Sequence, residues 1–255
     1  MRAIPTPPPR PAALSLHRSP MHNPPMLAAA ESPVTTIALA GAELVLDPLG
    51  AALWVEERLL VVADMHLEKA SAFARRGQML PPFDTAETLA RLARLVEQHR
   101  PRAVVALGDS LHDRWADERL APAARDTLRQ LARGCDLIWI AGNHDPAPHG
   151  LGGLCVDTLA LGPLQLRHEP SPGPAVGEVC GHLHPAARVG VRGGSVRRRC
   201  FVTNGARLIL PAFGAFTGGL DVRMPAIADL FAADDFEVHL LGEGRTFRMP
   251  ASRLR

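Results

Sequence analysis

Five short segments of this chain carry the residue types that bind hard divalent cations. In order they are Asp64-Met65-His66, Gly108-Asp109-Ser110-Leu111-His112-Asp113, Gly142-Asn143-His144-Asp145, His168 and Gly181-His182-Leu183-His184. Hard divalent metals take oxygen and imidazole donors, and a hydrolytic centre must hold its ions rigidly while leaving positions open for water and substrate. The set meets both demands, and the chemistry it predicts is phosphate-ester hydrolysis at a two-metal centre. Taken singly, the pieces say less. Asp64 and His66 after a strand read equally as a helix N-cap with a surface histidine nearby, and a His-x-His pair on a strand is commonly a surface pair. The companions change the reading. Gly108 permits close backbone approach, and the two oxygens of Asp109 can bridge cations about 3.5 to 4 Å apart. Asn143 offers a neutral amide oxygen, and His144 an imidazole able to give a proton to a leaving oxygen.

Positioning these residues requires strands that end together. Arg58–Ala63, Arg102–Leu107 and Leu137–Ala141 are continuous apolar runs, as strands buried on both faces should be, and each ends at one of the motifs. Between the first two, Asp84 reads as the cap of a helix with Glu87 three residues on, and Leu89, Leu92, Ala93 and Val96 form its apolar stripe. A further helix is expected over about residues 115–133. Open α/β sheets bind ligands at the carboxyl ends of their strands, which places the centre on a sheet rim. After about Gly153 the runs shorten and alternate with Gly and Pro turns, as in Leu164–Arg167, Val189–Val191 and Cys200–Val202, predicting a second, mainly antiparallel sheet that supplies His168, His182 and His184.

Bulk properties fit a sizeable enclosed core: 255 residues, 47% hydrophobic, with a formal net charge of +2 that neither supports nor excludes nucleic-acid binding. Cys135, Cys155, Cys180 and Cys200 have no metal-knuckle spacing and read as reduced thiols, and no apolar stretch approaches the roughly 20 residues that span a bilayer, so a cytoplasmic, non-membrane protein is expected. Residues 1–33 are rich in Pro and lack a periodic apolar face, and are expected to be disordered, leaving residues 34–255 as the catalytic domain.

In this order the motifs resemble the calcineurin-like metallophosphoesterase superfamily, whose pattern runs DxH, GDxx(D/H), GNH(D/E), H and GHxH, over about residues 58–185. The resemblance implies an α/β fold built as a two-sheet αββα sandwich. It implies that Asp64, His66 and His184 hold one metal, that Asn143, His168 and His182 hold the other, that Asp109 bridges and that His144 acts on the leaving group. His168 is supported by order and position alone, because Arg167-His168-Glu169-Pro170 forms no tight motif. The phosphoprotein phosphatases carry GDxxDRG, whereas His112 stands at the fourth position here, and an imidazole there could stabilise a diester or protonate its alkoxide. Asp145 is the candidate to orient His144.

Further segments narrow the likeness: Asp64–Lys69, Leu80–Thr85, Gly181–Pro185, Arg198–Phe201 and Leu210–Leu220 are similar to the bacterial ligase-associated DNA damage response endonuclease family, over about residues 35–240. That similarity implies a metal-dependent phosphodiesterase, encoded beside a DNA ligase, a helicase and an exonuclease, that uses two ions, manganese being the expected one, on single-stranded or damaged DNA in DNA repair. Arg198 and Arg199 are the candidate substrate contacts, although arginines on edge strands are ordinary, and Lys69 is the one lysine of the chain. The alternatives are a small-molecule phosphodiesterase or nucleotidase with the same centre, and a non-catalytic scaffold of a repair complex. No large insertion between the motifs would cap the site, which favours a polymer.

Overall fold

The apolar runs pair in the order in which the chain makes them. In the computed structural model, which describes residues 35–232 and 235–254, the first sheet contains β1 (Thr35–Leu39), β2 (Ala42–Leu46), β3 (Ala52–Trp54), β4 (Leu59–Val62), β5 (Ala103–Leu107), β6 (Asp136–Ile140) and β7 (Leu154–Val156), side by side in that order. β1 to β4 are antiparallel, and β4 to β7 run parallel. The parallel crossovers carry α1 (Lys69–Ala74) and α2 (Asp84–His99), then α3 (Ala116–Arg119) and α4 (Pro122–Gly134). The Pro-rich residues 1–33 lie outside the described residues.

The second sheet comprises β8 (Thr158–Leu161), β9 (Leu164–Arg167), β10 (Glu178–Cys180), β11 (Pro185–Val191), β12 (Gly194–Thr203), β13 (Arg207–Ile209), β14 (Leu220–Asp221), β15 (Glu237–Leu241) and β16 (Thr246–Pro250), with α5 (Pro225–Ala228) on its outer side. Most of its pairs are antiparallel, as expected. The exceptions are β14 beside β11 and, of consequence for the site, β10, which lies parallel to both β9 and β13. β10 therefore releases His182 and His184 from a carboxyl end, as β4, β5 and β6 release their motifs.

Three apolar layers follow from the period of two along each strand. Leu60, Val62, Val104, Ala106, Leu137 and Trp139 point to Leu89, Leu92, Leu95, Leu128 and Leu131 of α2 and α4. The intervening residues Val61, Val105, Leu107 and Ile140 meet Leu164, Leu166, Phe201 and Leu208 between the sheets. Beyond the second sheet, Cys200, Val202 and Ile209 pack on Val222, Ile227 and Phe231. This is the two-sheet αββα sandwich that the resemblance implies.

Two local expectations are corrected. The helix expected over 115–133 breaks at Leu120 and Ala121, whose ψ angles of 124° and 149° leave the helical region; Pro122 disfavours helical backbone at Ala121 and opens α4 instead. Asp84 is the first helical residue and not the cap; its carboxylate accepts the backbone N–H of Ala70 at 2.9 Å, which ties α2 to α1. Among the described residues no helix is long and apolar enough to cross a membrane.

Candidate metal centre

The strand register brings the motifs level. Val62 pairs with Ala106, and Leu107 with Ile140, so Asp64, Asp109 and Asn143 leave the first sheet at one edge. The loop after β4 then runs beside the loop after β5: His66 N–H donates to the Asp109 carbonyl at 2.8 Å and Leu67 N–H to that of Ser110 at 2.9 Å. At the second sheet the Gly181 N–H donates to the His168 carbonyl at 2.9 Å, holding the ends of β9 and β10 together. Residues 210–214 join the sheets, with Leu210 N–H on the Cys180 carbonyl and Phe213 N–H on that of Ala63, both at 2.8 Å.

Glycine makes the close packing possible. A Cβ on Gly142 would stand 2.1 Å from the Asp109 nitrogen and 2.4 Å from Asp109 Oδ1, and one on Gly108 would strike the His168 ring at 2.5 Å. The side chains carry the opposite burden. Asp64, His66, Asp109, His182 and His184 all adopt positive φ, between 45° and 67°, a region that Asp and His tolerate better than most residues but that still costs energy.

These loops create two carboxylate-bearing sets of donors, Asp64 with His66 and His184, and Asp109 with His168 and His182, beside an all-imidazole group of His66, His112 and His144; within each the ligating atoms lie within 4.8 Å of one another. Asp64 is fully buried, and its carboxylate accepts the His182 N–H at 2.9 Å while lying 3.4 Å from His184 Nε2. Asp109 stands between the sets. Its Oδ1 is 3.4 Å from His168 Nε2, and its Oδ2 is 3.8 Å from His66 Nε2. Asn143 Oδ1 joins the second set, 2.9 Å from His168 Nε2. The seven expected ligands thus surround one pocket.

Proton accounting shows that a cation fits. His168 Nδ1 lies 2.8 Å from the Leu107 carbonyl, which can only accept, so that nitrogen carries the proton. Nε2 is thereby the atom turned to the other donors, 2.9 Å from Asn143 Oδ1, 3.4 Å from Asp109 Oδ1 and 3.1 Å from His182 Nδ1. His66 and His184 likewise face each other through Nε2 at 3.2 Å. Burial, followed by the neighbouring His184, His144 and His112, pushes the His66 imidazole down to about 2, which keeps it in the neutral form that binds metal. His66 Nδ1 is buried without a partner, and a divalent ion placed among the converging imidazole nitrogens and carboxylate oxygens would take the place of the protons they share. The donor set fits two hard or borderline divalent ions.

His112 and His144 stack at the mouth, with centroids 5.1 Å apart. His144 Nδ1 donates to the His112 carbonyl at 2.6 Å, and its Nε2 lies 3.9 Å from Asp109 Oδ2, on the open side of the cluster. Burial pushes the His112 imidazole down to about 4, with His144 and Lys69 acting in the same direction, so it is neutral near pH 7. Asp145 does not reach the His144 ring, contrary to expectation. Its carboxylate accepts the N–H groups of Ser110 at 2.8 Å, Leu111 at 3.0 Å and Gly142 at 3.1 Å, clamping the two motif loops together. Arg199 was expected at the substrate with Arg198, but its Nη1 is committed to the Ala212 and Gly214 carbonyls, whereas Arg198 is exposed. Two partners escaped the sequence reading. Glu169 accepts the Asn143 amide N–H at 2.7 Å, and Arg119 grips both oxygens of Asp113. Glu169 directly follows His168, and that adjacency was its one available signal.

The family model for calcineurin-like phosphoesterases matches residues 57–207, more than half of the chain. The crystal structure of Pseudomonas putida nuclease MPE is similar at a TM-score of 0.65 and 33% identity, covering 85% of this chain and 100% of that one. A conserved Streptococcus pneumoniae TIGR4 protein, described as a predicted phosphoesterase, covers 75% of this chain and 96% of its own at 15% identity and a TM-score of 0.28, too distant to bear on either fold or chemistry. No curated protein matches. By its matched domain the chain belongs to the calcineurin-like phosphoesterase family, and it is a metal-dependent phosphoester hydrolase.

Proposed function

We propose that the protein is an endonuclease that hydrolyses phosphodiester bonds of single-stranded or damaged DNA in DNA repair, using two manganese ions. The observation that carries this reading is an uncapped two-set donor cluster with an exposed proton donor beside it: the His144 side chain is 44% exposed at the mouth, and a centre open on that side admits a polymer. The similarity to a nuclease supports the same substrate class, as does the sequence resemblance to the ligase-associated endonucleases, which suggests work alongside a DNA ligase, a helicase and an exonuclease. Residues 34–255 form the catalytic domain in this reading. The four free cysteines suit a reducing cytoplasm.

Asp64, His66 and His184 would hold one ion, Asn143, His168 and His182 the other, and Asp109 both. When bound, such a pair lowers the pKa of a water and offsets charge on the phosphoryl oxygens. The residues of the chain do the rest. Because Nδ1 of His144 is held by the His112 carbonyl, a proton for the leaving oxygen would be given from Nε2. His112, neutral and stacked on His144, fixes the plane of that ring and is placed to hydrogen-bond a diester oxygen. Lys69, close enough to depress both His66 and His112, puts a positive charge where a phosphate approaches. Arg198 is the proposed backbone contact.

The test is circular single-stranded DNA and its duplex counterpart, incubated with the purified protein and each divalent ion in turn. Nicking of the single-stranded circle with manganese, abolished by Asp109→Asn, is expected. Turnover of small diesters alone, with both DNA forms intact, would overturn the DNA assignment and leave the hydrolase.

A further inference from the structure

Asn143 presents a problem that its own side chain cannot solve. An amide offers an oxygen on one side and an NH2 group on the other, and only the oxygen can ligate a cation. His168 Nε2 does not choose between them in the absence of metal. It lies 2.9 Å from the Asn143 Oδ1 position, and an imidazole nitrogen can donate to the oxygen or accept from a turned-over amide. Asn143 is exposed, so packing does not choose either. Among the described residues its remaining side-chain hydrogen bond is to Glu169 Oε1, at 2.7 Å. An ionised carboxylate has no proton to give, so it can face only the NH2 side.

We propose that Glu169 is a positioning residue of the metal centre: by accepting the Asn143 Nδ2–H it turns Oδ1 toward the cations and so sets the affinity of the site that Asn143 shares with His168 and His182. The inference rests on these three residues being ligands. The same carboxylate oxygen lies 3.9 Å from His182 Nε2, so Glu169 stands beside two members of that set and none of the other. The effect is therefore confined to one of the two ions. Glu169 is half exposed, at 52% of its side chain, and its removal leaves no buried group without a partner other than the amide it orients. Asymmetric loss of metal is the signature that a general structural role would not give.

The experiment uses chelator-treated full-length protein titrated with Mn2+, followed by calorimetry and by the electron paramagnetic resonance signal of a spin-coupled manganese pair. The wild type should bind two ions. In Glu169→Ala one ion should bind as in the wild type and the other about 10- to 100-fold more weakly, the range typical when a ligand loses its outer partner, with the coupled signal appearing only at correspondingly higher Mn2+. Glu169→Gln, whose carbonyl can still accept the amide N–H, should keep most of the affinity. Unchanged affinities in Glu169→Ala overturn the proposal and leave the nuclease reading untouched. Equal losses in the Ala and Gln variants also overturn it, since charge and not amide orientation would then be responsible. A wild type that binds fewer than two ions overturns the ligand assignment itself, and this proposal with it.

Discussion

Gly142→Ala is the smallest change that should dismantle the centre, because the methyl group it adds points at backbone and not at a side chain able to move. The new Cβ would lie 2.1 Å from the Asp109 nitrogen, against an ordinary closest contact of about 3.4 Å, leaving a shortfall of about 1.3 Å, and it would also press on Asp109 Oδ1 at 2.4 Å and Asp145 Oδ1 at 2.7 Å. One of the two motif loops must retreat by about an ångström. Overpacking of this kind costs about 1–3 kcal/mol, and for a domain of this size each kcal/mol lowers the melting temperature by about 2–4 °C. The functional loss should be larger, since an ångström of misplacement at reacting groups can cost about 10²-fold in rate. Gly150→Ala is the control, with nothing within 4 Å of its Cβ and no positive φ, and it should leave both quantities unchanged. Thermal melts of the chelated proteins and manganese-dependent turnover of an activated diester measure the two effects separately. If Gly142→Ala melts and turns over like Gly150→Ala, the two loops do not meet at Asp109, and the reasoning about the centre fails.

His144→Ala should lower kcat by about 10²–10⁴-fold toward a diester with a poor leaving group, and far less toward a nitrophenolate, which departs without a proton; equal losses on both substrates would remove His144 from the acid role. Arg207, 1% exposed, pairs with Glu178 and donates to the carbonyls of Leu230, Ser171 and Gly173. Arg207→Ala should therefore destabilise by about 3–5 kcal/mol, read as a fall in the urea midpoint, because it strands a buried carboxylate. The metal-free protein should lose stability on acidification: His112 titrates near 6.5 when unfolded and near 4 when folded, so between those values the unfolded chain binds more protons and unfolding is favoured as pH falls. Urea midpoints of chelated protein at pH 7.5 and pH 5 test this, and His112→Gln should remove part of the difference, His66 supplying a further part in the same direction.

The strands were legible because β4, β5 and β6 are buried on both faces and therefore continuous in their apolar character, and the ligands were legible because each motif follows such a run. The two-set grouping of donors needed more. It depends on β10 lying parallel to β9, and Glu178-Val179-Cys180 carries no local mark of its partner's direction. The roles of charged residues were harder to read for the same reason. Asp84 has the sequence look of a helix cap, yet Ala70, 14 positions earlier, claims its carboxylate. Asp145 looks like a partner of its neighbour His144, but three amides converge on it from the adjoining loop and from Gly142. Arg199 appears as one of three consecutive arginines, and only the return of residues 210–214 to the rim turns it into a loop clamp. In each case a hydrogen bond between distant segments overrides the local reading, and such bonds have no periodic signal.

The positive φ angles suggest why the metal sites and the fold are coupled. Two residues at positions i and i+2 of a regular strand share a face but stand about 7 Å apart, too far to grip one small ion. In Asp64-Met65-His66 both outer residues are turned into left-handed backbone, which ends the strand and swings the side chains toward a common point, and in His182-Leu183-His184 the same turn sends the two rings to different donor sets. Each such residue costs about 1–2 kcal/mol, so the five together, counting Asp109, absorb a free energy comparable with the roughly 5–15 kcal/mol net stability of a domain. The bonds between loops must hold them: His66 N–H to the Asp109 carbonyl, His182 N–H to the Asp64 carboxylate, and the three amides on Asp145. The first two of these bonds end on ligand residues, so there the strain and its restraint share the same atoms. Cations that bind only the folded chain add stability in proportion to the logarithm of their concentration over their dissociation constant. A centre built this way is rigid when loaded, and when stripped it keeps its strain without the ions that offset it, so the rim of both sheets is the first place where the metal-free protein should open.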